Sequence, residues 1–216
     1  MDTKRFRDRR DAGVELAGSL SALEGAPDTV VYGLARGGVP VAAVVADRLG
    51  LPLDVIVVRK VGAPSNPELA VGAITTVGGM VVNDRVMAAT GVSREQLDEL
   101  AKSERSELES QESSIRGGAD RIPPDGKTAL LVDDGLATGA SMEAAVRAMK
   151  ESGATKVIAA VPVASVDAER RVGEVADRVE CLMTPTGFSA VGQWYDSFGQ
   201  TSTDAVREIL EGSRGG

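Results

Sequence analysis

Short runs of apolar, often β-branched residues recur along this chain, several of them running into a turn of small residues and then a helix-forming stretch. The runs are Thr29–Tyr32, Leu53–Val58, Ala129–Val132, Lys156–Val163 and Val179–Met183. Runs this apolar, without polar alternation, suit strands buried on both faces of a parallel sheet. Strand and helix in alternation predict an α/β, doubly wound, mostly parallel sheet. At 216 residues, one domain covering 1–216 is the expectation. Its core spans about 29–183, with a helical insertion at about 84–118 and a C-terminal loop and helix at about 184–211.

The unit with the most chemistry is Ala129–Ser141, ALLVDDGLATGAS. A buried strand ends in Asp133 and Asp134. The small-residue loop Gly135–Gly139 follows, and Ser141 stands near the start of an Ala-rich helix, roughly Ser141–Glu151. Ligands of open α/β sheets sit at the carboxyl ends of strands. Free amides at a helix start attract phosphate, helped by the helix dipole, so Ala137, Thr138, Gly139, Ala140 and Ser141 are candidate phosphate contacts. The two carboxylates would repel that phosphate, so they should face donors instead, such as a sugar diol or hydrated Mg²⁺.

A second unit repeats the logic. Strand Thr29–Tyr32 runs into Gly33-Leu34-Ala35-Arg36-Gly37-Gly38, and Val41–Leu49 reads as the helix that follows. Gly37 and Gly38 permit unusual backbone angles and expose amides to an anion beside Arg36. The next run, Leu53–Val58, ends in Arg59-Lys60. Two adjacent cations at a strand's carboxyl end suit a polyphosphate. The Gly- and Pro-bearing stretch 61–68 then reads as a mobile or kinked loop.

Val77-Gly78-Gly79 between two β-like runs signals a hairpin. Residues 84–92 form a short helix. Ser93-Arg94-Glu95-Gln96 is a capping box opening a helix to about Ser113. Residues 93–112 hold three basic and seven acidic side chains with few apolar positions, so this helix reads as a solvated arm, with a homodimer contact as the alternative. Residues 3–24 read as an amphipathic helix with a solvated Arg-rich face, and 166–176 and 203–210 as further helices. The segment 184–200 breaks the pattern. It carries Phe188, Trp194, Tyr195 and Phe198, four of the six aromatic residues in the chain. An aromatic loop near strand ends can stack on a flat heterocycle; packing of the C-terminal tail is its rival.

Composition removes whole reaction classes. The chain has no histidine, so Ser-His-Asp triads, Cys-His pairs and His-ligated zinc are ruled out. The single cysteine, Cys181, cannot form an intrachain disulfide and reads as a small buried hydrophobe. A net charge of -8 makes nonspecific nucleic-acid or membrane binding a poor prospect. No transmembrane run occurs, and the N-terminus lacks an apolar signal core, so a cytoplasmic protein is expected.

DDGLATGAS resembles the ribose-phosphate loop of type I phosphoribosyltransferases, in the form closest to adenine-type and uracil-type members. GLARGG resembles the pyrophosphate loop of the same family. The stretch from GLARGG to the Arg59-Lys60 pair is similar to adenine and orotate enzymes, in which such a pair precedes a loop that closes over the site. The resemblance implies phosphoribosyl pyrophosphate (PRPP) with Mg²⁺ as co-substrate and a nucleobase or other amine as acceptor. It implies Asp133 and Asp134 at the ribose diol or on metal-bound water, and residues 137–141 at the 5-phosphate. Ala35, Arg36, Gly37 and Lys60 then face pyrophosphate, beside a base-contacting hood. Ala137 stands where 6-oxopurine enzymes carry an aspartate, which disfavours hypoxanthine, guanine and xanthine. The stretch 61–68 departs from the pattern by lacking a further basic residue. A PRPP-binding regulator of the same fold is the alternative from another functional class.

Overall fold

The computed structural model describes residues 5–214. Strands β1 (Thr29–Leu34), β2 (Leu53–Ile56), β6 (Thr128–Val132), β7 (Lys156–Val163) and β8 (Arg178–Met183) form one sheet in the order β2-β1-β6-β7-β8. All four pairings are parallel. Between β2 and β6 the chain builds a second, antiparallel sheet from β3 (Val58–Ala63), β4 (Asn66–Thr75) and β5 (Met80–Val82).

Side chains alternate across the parallel sheet and so divide the core. Val31, Leu53, Leu130 and Ile158 pack toward helices α1 (Arg9–Ser19) and α2 (Gly38–Leu49). Val30, Tyr32, Leu131 and Val157 pack toward α5 (Ala140–Glu151) and α6 (Val166–Gly173). Helices on both faces complete the expected doubly wound layering.

The expected helix over 3–24 begins outside the described residues. Within them it is shorter, because Asp8 caps α1 by accepting from the Asp11 amide and the helix ends at Ser19, followed by a 3₁₀ turn at Ser21–Leu23. The run Leu53–Val58 is not one strand. Its ladder breaks at Val57, whose N–H donates to the Thr76 hydroxyl at 3.2 Å while its carbonyl accepts from the Thr76 amide at 3.1 Å. Apolar composition cannot mark that break, because Ile56, Val57 and Val58 are all apolar and β-branched. The stretch 61–68 is likewise not an irregular loop. β3 and β4 pair through it, with register shifts at Val61/Gly62 and Gly62/Ala63. Those shifts absorb the irregularity that its Gly and Pro residues announce.

Helix α3 (Asp84–Thr90) ends at Gly91 as expected. Helix α4 (Arg94–Arg116) is the polar helix, and it is not a solvated arm. Leu97, Ala101, Leu108 and Ile115 form a single buried seam against β3, β4 and α7 (Thr203–Arg214). One narrow apolar stripe is enough to dock a helix whose other faces remain charged. Its capping box is present, the Ser93 hydroxyl accepting from the Gln96 amide at 3.2 Å and the Gln96 side chain accepting from the Ser93 amide at 2.9 Å. Ser93→Ala is expected to lower stability by about 1 kcal/mol in urea unfolding; no change would mean that docking alone holds the helix start. No helix among the described residues is long and apolar enough to cross a membrane.

Candidate functional site

The strand order creates one switch point. From β1 the chain crosses through α2 to β2; from neighbouring β6 it crosses through α5, on the opposite face, to β7. The crevice between the carboxyl ends of β1 and β6 is where a doubly wound sheet accepts a ligand. Residues 35–38 leave β1 there and residues 133–139 leave β6 there. The two loops that look unrelated along the chain therefore face each other.

They touch closely. A Cβ on Gly38 would lie 2.6 Å from the Val132 carbonyl oxygen, 2.8 Å from the Asp133 α-carbon and 2.9 Å from Asp133 Oδ1. A Cβ on Gly37 would collide with Asp134 Oδ2. Both glycines are thus required by the acids before any ligand is considered. The Ala35–Arg36 peptide is cis, and the Arg36 side chain stands exposed at the rim.

The two carboxylates differ in what holds them. Asp133 Oδ1 accepts from the Asp134 amide at 2.8 Å, and Oδ2 has no hydrogen-bond partner among the described residues. Burial, then the neighbouring Asp134 charge, pushes the Asp133 carboxyl well above the ordinary carboxylate range. Asp134 lies between Gly37 and Arg9. Its Oδ2 accepts from Arg9 Nε and lies 2.8 Å from Arg9 Nη2 as well. Burial raises this carboxyl also, with Arg9 opposing the shift. The two acids, alike in sequence, thus have different surroundings: one oxygen of Asp134 is engaged by a guanidinium, whereas Asp133 has no cation at hydrogen-bond distance among the described residues. Arg9 was expected on a solvated face, and only the fold separates it from Arg7 and Arg10 beside it.

Helices α2 and α5 both open at this crevice from a glycine, Gly37 and Gly139, without a side-chain cap. Gly139 sits at φ 73°, a left-handed conformation that suits glycine. By contrast α1, α3, α4 and α6 are capped by Asp8, Asn83, Ser93 and Ser165. The Ala140 amide meets the Thr138 hydroxyl at 3.4 Å and the Val39 amide meets the Arg36 carbonyl at 3.3 Å; first-turn amides without such a partner are available to an anion. The intervening loop is held from α6: the Ser165 hydroxyl donates to the Ala137 carbonyl at 2.8 Å, and Arg171 donates to the Thr138 carbonyl at 3.1 Å. Ser141 is half-buried in the first turn of α5.

Arg59 and Lys60 do not act as a pair. As neighbours on β3 they point to opposite faces. Arg59 is held by Glu104 of α4 at 2.7–2.8 Å. Lys60 points into a cleft of about 940 Å³ between the antiparallel sheet and the starts of α5 and α6, shared with Ala137, Thr138, Ala140 and Arg85.

The aromatic segment serves mainly as packing. Trp194 and Tyr195 are 5% and 2% exposed and form a small core with Phe6, Ala12 and Val163. Phe188 stacks on Trp194 with ring centroids 6.4 Å apart. The expectation that Trp194 and Tyr195 present a face to a heterocycle is not met, because both rings are covered by this core. The Tyr195 hydroxyl instead donates to the Asp134 carbonyl at 2.6 Å, a contact with no sequence signal. Cys181 is half-buried, donates to the Met183 carbonyl at 3.2 Å and has its pKa raised by burial to about 11, which disfavours the thiolate.

Likeness to known proteins spans this crevice. A family model described as "Phosphoribosyl transferase domain" matches residues 10–193. Two Mycobacterium tuberculosis proteins, each named "Putative phosphoribosyl transferase" (Rv0571c in strain H37Rv and MT0597 in strain CDC 1551), are 48% identical over 208 residues. Those matches cover 96% of this chain and 47% of the relatives, so the chain spans about half the length of the curated relatives it matches. The crystal structure of TT1426 from Thermus thermophilus superposes over 95% of this chain and 97% of its own, at 44% identity and a TM-score of 0.85. The family match runs from the first helix, across both glycine-bearing loops and the acids between them, into the aromatic segment, and the chain belongs to the phosphoribosyl transferase domain family.

Proposed function

We propose that this chain transfers ribose 5-phosphate from PRPP to a nitrogen acceptor, such as a nucleobase, and releases pyrophosphate. The observation that supports this most is the crevice itself, where two uncapped helix starts flank an acid with one unengaged oxygen. Amides of residues 137–141, with the Thr138 and Ser141 hydroxyls, bind the 5-phosphate at the start of α5. Amides at Gly37 and Gly38, with Arg36, bind pyrophosphate at the start of α2. Asp133 Oδ2 accepts from the ribose diol or from water on Mg²⁺. Lys60 adds positive charge from the antiparallel sheet.

The donor set fits Mg²⁺ only as a cation brought in with the substrate. Among the described residues no group of three or more acid, Cys or His side chains could hold a metal, and Mg²⁺ commonly binds through one or two carboxylates plus phosphates and water. When bound, the ion supplies charge neutralisation for the departing pyrophosphate. The protein holds the ring, places the acceptor nitrogen behind C1 and limits water. The C1–O bond breaks with its electron pair going to pyrophosphate, the acceptor nitrogen forms the new bond to C1, and the proton displaced from that nitrogen passes to the released pyrophosphate or to solvent. No strong general acid is required, which agrees with a chain that has no histidine.

Asp133→Asn is expected to weaken Mg-PRPP binding at least about tenfold, or about 1.4 kcal/mol, by calorimetry. Unchanged affinity would place the diol elsewhere. Pyrophosphate release with PRPP and a panel of bases then separates an enzyme from a PRPP-binding regulator. Tight binding without release for any acceptor would favour the regulator, and absent binding would overturn both.

A further inference from the structure

We propose that Arg9 is a positioning residue for the ribose-phosphate loop, acting through Asp134. This rests on the function proposed above and assigns the two acids different work. Asp133 meets the ligand, while Asp134 anchors the loop that carries it.

The geometry is a closed ring of contacts around Asp134. Arg9 reaches the Asp134 carboxylate at 2.8 Å and also donates to the Gly199 carbonyl at 2.7 Å. Its guanidinium lies 4.0 Å from the centroid of the Phe198 ring. Phe198 packs on Tyr195 with ring centroids 4.9 Å apart, and the Tyr195 hydroxyl returns to the Asp134 carbonyl. One residue of the loop is therefore gripped twice, at its side chain by α1 and at its backbone by the C-terminal segment. Neither side chain of the central pair is more than 14% exposed, so water screens the interaction weakly. Two neighbours gain from the grip. The Asp134 amide is the donor that orients Asp133, and the Asp134 carboxylate is the wall against which Gly37 rests. Displacing Asp134 would shift the diol acid and the pyrophosphate loop together.

Arg9 touches neither proposed ligand subsite directly, so its effect should be transmitted and should saturate. Arg9→Gln is expected to weaken Mg-PRPP binding at least about tenfold in calorimetry at low temperature, where circular dichroism shows every variant folded. Asp134→Asn is expected to have a similar effect, and the double variant to lose little more than either alone, since both break one link. Arg9→Lys should recover part of the affinity, because it restores the cation but not the guanidinium's several contacts. A contribution to stability alone would leave the affinity of the folded protein unchanged. The inference is overturned if Arg9→Gln binds Mg-PRPP as the parent does, if the two single losses add in full, or if Arg9→Lys behaves as Arg9→Gln. Failure of the parent to bind Mg-PRPP would instead overturn the functional reading beneath it.

Discussion

Arg116→Met is expected to lower the unfolding free energy by about 3–5 kcal/mol, the range for breaking a buried ion pair from one side. Arg116, Asp54 and Glu112 have side chains 7%, 1% and 6% exposed. Arg116 Nη1 donates to Asp54 Oδ1 at 2.8 Å, Nε to Glu112 Oε1 at 2.7 Å and Nη2 to the Val55 carbonyl at 3.1 Å. The cluster fastens the end of α4 to strand β2 at the sheet edge. Methionine would fill much of the volume but leave Asp54 with one charge partner fewer in a site water barely reaches. Asp54 keeps the Ile122 amide at 2.8 Å and Glu112 keeps Arg121, so collapse of the fold is not expected. Urea unfolding measures the loss, and a loss below about 1 kcal/mol would show that the site readily admits water or repacks. The same cluster predicts acid sensitivity. Burial alone would raise the Glu112 carboxyl, but hydrogen bonds from Arg121 and Arg116 outweigh it and the net shift is downward from 4.5. A carboxylate with a depressed folded-state pKa stabilises the protein above its unfolded pKa. That contribution should fade as pH falls below about 4.5 and through the folded value.

Gly38→Ala should cost about 3 kcal/mol, at the upper end for overpacking, and should also impair ligand binding. The new methyl would meet the Val132 carbonyl at 2.6 Å and the Asp133 α-carbon at 2.8 Å. Both are backbone atoms of β6 and its exit, bound in register to β1 through Gly33↔Val132. They cannot swing aside as a side chain would, so relief requires spreading the two central strands where the crevice opens. Gly18→Ala is the control. It lies in α1 with nothing within 4 Å of the added methyl, so helix propensity alone should make it neutral or stabilising by up to about 1 kcal/mol. If both variants unfold at the parent's urea midpoint, the crevice is looser than its packing indicates. If Gly38→Ala loses stability yet binds Mg-PRPP normally, the pyrophosphate subsite does not depend on that close approach.

The layered sheet was legible in the chain because burial on both faces forces near-continuous apolar runs. Lys156–Val163 reads directly as β7, and the two loops at the crevice were recognisable because close approach favours small residues there. The alternation of strand and helix settled the class of fold, and the absence of histidine narrowed the chemistry. Tertiary structure alone decided which charges meet. Arg7, Arg9 and Arg10 look equivalent in sequence, yet Arg9 is the one aimed at Asp134, through contacts 125 residues apart. Arg59 and Lys60 look like a pair, yet a strand sends them to opposite faces. Asp133 and Asp134 look like twins, yet one is free at a single oxygen and the other is locked inward. Local pattern records how often a residue must be buried; it does not record the partner that burial brings to it, because that partner arrives from another part of the chain.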